Sequence, residues 1–100
     1  MKENELLNQL EESYESFLIP LRMGDGLKEI PFKRFCELLK YGSEFWGEVD
    51  TIPKRAVNIF IDAFSAMTAS SYLYDAVEKN KIDMAADEMN DFIRDCVHKN

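Results

Sequence analysis

Four aspartates, Asp83, Asp87, Asp91 and Asp95, recur at every fourth residue near the end of the chain. On an α-helix that step drifts slowly round the axis, so the carboxylates form a winding stripe rather than a cluster. Such a stripe could contribute to a cation site or present a negative face to a basic partner. The first reading fails on the rest of the sequence. A di-metal centre in a helical bundle uses Glu-x-x-His pairs, and this chain holds one histidine, His98. The Asp-x-Asp-x-Asp-Gly run of a calcium loop is also absent. The stripe is read as a solvated face, with Asp87, Asp91 and Asp95 as the candidates for contact with a protein partner.

Nucleophilic chemistry finds little support. Cys96 and His98 are two residues apart, which points them to different faces of a helix. Ser65, Ser70 and Ser71 lack the Gly-x-Ser-x-Gly elbow. With Ala63, Ala66 and Ala69 they read as small residues that let another helix approach. Gly24-Asp25-Gly26 lacks the Gly-Lys-Ser/Thr ending of a phosphate loop. One carboxylate is out of character: Asp62 interrupts an apolar helix, and a buried acid beside a tyrosine could act as a general acid. That enzymatic option is the weakest of three, and the chain is read as a non-enzyme with no cofactor.

The aromatic residues are more telling. Most of the seven phenylalanines fit core stripes. Trp46, Tyr41, Tyr72 and Tyr74 are harder to place inside. Tyr72 and Tyr74 point to opposite sides of a helix, so one side cannot bury both. Phe45-Trp46 lies among Glu44, Glu48 and Asp50 in a glycine-bounded segment. Aromatic rings beside acid are what interface anchors look like, so Trp46, Tyr72 and Tyr74 join the candidate protein-binding residues.

Net charge is −7, and its placement matters more than its size. Residues 1–21 carry five glutamates against Lys2, and residues 83–98 carry five acids against Arg94. The segment between them is neutral, with Lys99 as the remaining charge. This field disfavours nucleic acid and anionic membranes and favours basic partners. The basic pairs Lys33-Arg34 and Lys54-Arg55 are too few to reverse it. Two cysteines, Cys36 and Cys96, fall on apolar helix faces and read as buried free thiols, not a disulfide framework. The polar, acidic start is unlike a signal peptide, and no apolar run is long enough to span a membrane. Both features point to the cytoplasm.

Helices must position these residues. Leu6, Leu7, Leu10, Tyr14, Phe17 and Leu18 follow helical spacing, and Pro20 is expected to stop that helix at Ile19. The glycines at 24 and 26 mark a connection, with a short hairpin over residues 21–30 as a lesser alternative to an irregular loop. A second helix is expected from Pro31, ending at Gly42 or continuing through Trp46 to Gly47. A third, apolar almost all round, starts near Pro53 and is expected to run to about Glu78 as one helix, with a break at Thr68–Ser71 as the alternative. Asn80-Lys81 then forms a turn, and Asp83 caps a last helix reaching Val97. The expectation is a single all-α domain over residues 1–100, a small four-helix bundle or an irregular four-helix array.

In size, helicity and charge the chain resembles the small acidic bacterial immunity proteins and antitoxins that mask a basic toxin surface. That resemblance implies a binding or inhibitory module. The alternative is a structural or self-associating helical subunit, a homodimer for instance, because residues 56–77 have more apolar surface than one small domain needs to bury.

Overall fold

The computed structural model describes residues 1–98, with side chains through Val97. Helix α1 spans Glu3–Arg22, α2 Glu29–Trp46, α3 Lys54–Ser70 and α4 Ala76–His98, with one 3₁₀ turn at Ser71–Leu73 between the last two. Among the described residues there is no strand. The fold is a small all-α four-helix array, and residues 21–30 form no hairpin.

Pro20 does not end α1. Ser16 and Ile19 in the turn it interrupts are exposed, so water can reach the carbonyl that loses its helical donor. The helix stops instead at Gly24, whose φ of 81° only glycine adopts at little cost. The Asp25 N–H returns 2.9 Å to the Pro20 carbonyl and the Gly24 N–H 3.3 Å to that of Leu21, the paired bonds of a Schellman cap. Helix α2 begins two residues before Pro31, which sits in a first turn where its missing N–H costs nothing. It runs through Gly42 without a break. A methyl at Gly42 would lie 2.9 Å from the Trp46 ring, so the glycine makes room for the indole one turn on.

The expected long third helix is two helices. Thr68 Oγ1 donates to the Phe64 carbonyl, and Ser71 Oγ to that of Thr68, drawing side chains onto the end of α3. Tyr74 then turns extended, at φ −113° and ψ 161°. Its hydroxyl donates to the Leu21 carbonyl at 2.8 Å and accepts the Gly26 N–H at 2.9 Å, tying the break to the α1–α2 loop. Asp75 starts α4 afresh, its Oδ1 accepting the Glu78 N–H at 2.9 Å. Asn80-Lys81 therefore lies within a helix, and Asp83 caps nothing.

Helix α1 packs on α2 and α3, and α4 packs on the same two. The four form a square with α1 and α4 at opposite corners. The two acidic helices are thus held apart by the near-neutral ones, which limits their mutual repulsion. Phe17 is the aromatic centre of one half of the core, with its ring centroid 5.4 Å from those of both Phe32 and Phe35. Trp46 meets Phe60 edge-on at 6.0 Å in the other half. Leu6, Leu10, Ala63, Met67, Ala86 and Met89 complete the interior between them. Among the described residues no helix is long and apolar enough to cross a membrane.

Candidate protein-binding face

The structure divides the six sequence candidates into two groups. Trp46 is not a surface anchor. It is 1% exposed, and its Nε1–H donates 2.9 Å to Glu3 Oε2, so its one polar atom is satisfied inside the fold. Tyr74 is half-buried and spends its hydroxyl on the loop clamp. Both rings are structural, for a reason hidden from helical periodicity: their partners lie 43 to 53 residues away in sequence. Tyr72, by contrast, is 78% exposed. Lys79 Nζ sits 4.5 Å from the centre of its ring and also bonds Asp83 at 2.8 Å. The ring is therefore held in place while facing solvent.

Asp87, Asp91 and Asp95 are exposed, and none has an ion-pair partner among the described residues. Asp83 differs from them. It is partly covered, and its bond to Lys79, with Ser71 as the second cause, holds its carboxyl below the usual range. The buried stripe of α4 is Ile82, Ala86, Met89, Ile93 and Cys96. Asp87, Asp91 and Asp95 lie opposite it, on the outward side. Val77 and Met84 extend the same side towards the start of the helix and are 66% and 64% exposed. Beside them, Tyr72 and Leu73, the latter 61% exposed, form the tip of the molecule at the 3₁₀ turn. The result is a helix side with exposed apolar residues towards its start, interspersed with Asn80 and Lys81, and acid further along, with Arg94 among it. The sequence candidates did not include Leu73, Val77 or Met84; a continuous helix to Glu78 hid the break that leaves residues 73 and 77 exposed.

Elsewhere a few charges are compensated, while Glu5, Glu12, Glu15, Glu44, Glu48, Asp50 and Asp62 are, like the α4 aspartates, exposed without an ion pair among the described residues. Arg55 from α3 binds both Asn8 and Glu11 of α1, and Glu3 is engaged by Trp46. Arg34 reaches Gln9 and Glu37. The two basic pairs of the sequence thus sit on different helices with their arginines occupied. No protein-family model, curated protein or solved structure matches the chain. The functional reading therefore rests on its own residues.

Three surface grooves were candidates for chemistry. The first, about 610 Å³, is a trough between α1 and α2 whose lining combines Gln9, Glu12 and Arg34 with Ile30 and Pro31. A second, of about 490 Å³, lies between α2 and α4 over an apolar floor that includes Phe32, Cys36 and Phe92. Its rim mixes Lys33, Lys40 and Lys81 with Glu29, Glu37 and Glu88, so it favours neither sign of ligand. The third lies between α3 and α4 and is about 220 Å³. Asp62 lines none of them and is exposed, which removes the buried-acid argument for general-acid catalysis. Its charge, after burial, helps to push the Tyr14 phenol above its ordinary value, so that tyrosine stays protonated. Among the described residues no three thiol, carboxylate or imidazole groups converge on a point that could hold a metal ion. The His98 side chain lies outside the described residues. Both thiols are free and buried, and burial pushes each up to about 12. Cys96 also donates to the Leu39 carbonyl at 3.2 Å. Neither is a nucleophile at neutral pH.

Proposed function

We propose that this chain is a protein-binding module that docks a basic protein surface on the outward face of α4. Asp87, Asp91 and Asp95 steer the partner and pair with its cations, while Tyr72, Leu73, Val77 and Met84 anchor it at the apolar tip. The supporting observation is that three exposed carboxylates without ion pairs share one helix side with the exposed Val77 and Met84, next in sequence to the exposed Tyr72 and Leu73. A solvated surface needs the acid but gains nothing from the exposed Tyr72, Leu73, Val77 and Met84 beside it. Lys79 fixes the Tyr72 ring in advance, which lowers the ordering cost of using it as an anchor. A face of this kind suits an immunity protein or antitoxin, whose task is to cover the basic active surface of a toxin.

The test is capture of partners by the full chain and by an Asp87→Asn/Asp91→Asn/Asp95→Asn variant. All three positions are exposed, so the variant is expected to fold normally. Wild type should retain a partner with a basic surface, and the variant should lose at least tenfold in affinity for it. Capture of acidic partners alone, or equal affinity for both chains, would refute the assignment.

A further inference from the structure

Tyr74 is no surface anchor, yet it stands between the apolar tip and the other half of the fold. The 3₁₀ turn Ser71–Leu73 packs on α3 and α4. Among the described residues, the hydrogen bonds that join residues 70–78 to residues 19–30 are the two made by the Tyr74 hydroxyl. Its ring is half-buried against the core. The receiving loop is shaped for that oxygen. Gly24 and Gly26, at φ of 81° and 90°, bend the chain so that the Leu21 carbonyl and the Gly26 N–H meet it together. A Cβ at either glycine would touch nothing within 4 Å, so side-chain packing does not hold the loop there. On the other side, Tyr72 and Leu73 immediately precede Tyr74, and the cap Asp75 follows it. The phenol therefore fixes the point from which the tip projects, while Lys79 fixes the Tyr72 ring.

We infer that Tyr74 is the positioning residue of the α4 binding face, a latch that orders the apolar tip by tying it to the α1–α2 loop. Use of the tip by a partner rests on the α4 reading; the latch is a property of the free protein. Without it, a partner that grips Tyr72 and Leu73 must first order the break between two helices, at a cost to affinity. The acidic stripe is independent of the latch. Asp87 lies about 18 Å along α4 from its cap Asp75 at the helical rise, and Asp91 and Asp95 lie further still. Tyr74 thus acts on how long a partner stays and not on how fast charge steers it in. The coupling is reciprocal, so whatever loosens the loop loosens the tip.

Amide hydrogen exchange of the full free chain tests the latch. Tyr74→Phe keeps the ring and removes both hydrogen bonds. The N–H groups of Gly26, Tyr74 and Glu78 bond to the Tyr74 hydroxyl, Ser71 and Asp75, and should exchange about tenfold faster in the variant. Val49, whose N–H bonds Trp46 in the α2–α3 connection, should keep its wild-type rate, because its opening leaves the latch closed. Gly26→Ala attacks the latch from the loop. Its methyl meets no atom, but alanine is strained at φ 90°. It should also speed exchange at Tyr74 and Glu78, although Tyr74 is 48 residues away in sequence. Wild-type rates at Tyr74 and Glu78 in either variant would overturn the inference. The binding probe is a helical peptide of leucine and lysine, apolar on one face and basic on the other. Tyr74→Phe should release it about fivefold faster, with the salt dependence of association unchanged. An unchanged release rate would overturn the positioning role. A wild-type chain that does not bind the peptide would count against the α4 reading, and the exchange rates would still decide the latch.

Discussion

Gly42 shows how one position can oppose two preferences. Alanine in the middle of a helix is favoured over glycine by about 1 kcal/mol. Here the added methyl would meet Trp46 Cζ3 at 2.9 Å and Cε3 at 3.1 Å, and the indole is buried with its N–H fixed on Glu3. Overpacking a fixed ring costs about 1–3 kcal/mol, so steric cost should exceed the propensity gain. Gly42→Ala is expected to lower the thermal midpoint, and a calorimetric scan would reveal it. The thiols make a prediction in pH. Folding holds Cys36 and Cys96 at about 12 against an ordinary value of 9.0. The folded state therefore keeps protons that the unfolded chain releases above pH 9. Their contribution is fully present below that value and is lost as pH rises towards 12. Urea midpoints should fall over this window, and fall less in a Cys36→Ala/Cys96→Ala variant measured against its own neutral-pH value.

At the scale of elements, the break between α3 and α4 determines which residues face solvent. Asp75 and Glu78 form the start signal of α4, with the carboxylate of one accepting the N–H of the other. Asp75→Ala should cost about 1 kcal/mol, the usual loss of a helix cap, visible as a lower urea midpoint. Much of this layer was legible in the sequence. The stripe of α1 was legible, with Leu6, Leu7, Leu10, Phe17 and Leu18 buried as expected, because burial on one side imposes helical spacing. The break was not legible from periodicity. Residues 66–77 keep enough small and apolar side chains to look like one helix, and what ends α3 is a tyrosine hydroxyl reaching back to the α1–α2 loop. The Asp-x-x-Glu pattern at residues 75–78 was the local clue, and the Asp83 cap reading passed over it. Trp46 was misplaced for a similar reason. Acidic neighbours suggested exposure, yet a distant acid, Glu3, satisfies its N–H indoors. The aspartate stripe was legible because nothing outside its own helix is needed to place it.

At the scale of the whole molecule, the square arrangement separates two acidic helices and leaves each with an outward flank. It also gives α4 two unlike surfaces. One side meets α3 at an uncharged groove, and the outer side presents acid with exposed apolar residues towards its start. The central claim is that the outer side recruits a basic protein by charge and holds it by the tip. The most direct measurement is the association rate with the captured partner over a salt series, for wild type and for the Asp87→Asn/Asp91→Asn/Asp95→Asn variant. Electrostatic steering predicts a wild-type rate that falls steeply as ionic strength rises, because exposed charges are screened within about 8 Å at physiological salt. The variant should start slower and depend on salt far less. A wild-type rate that is flat across the series, or the same slope in both chains, would contradict the account.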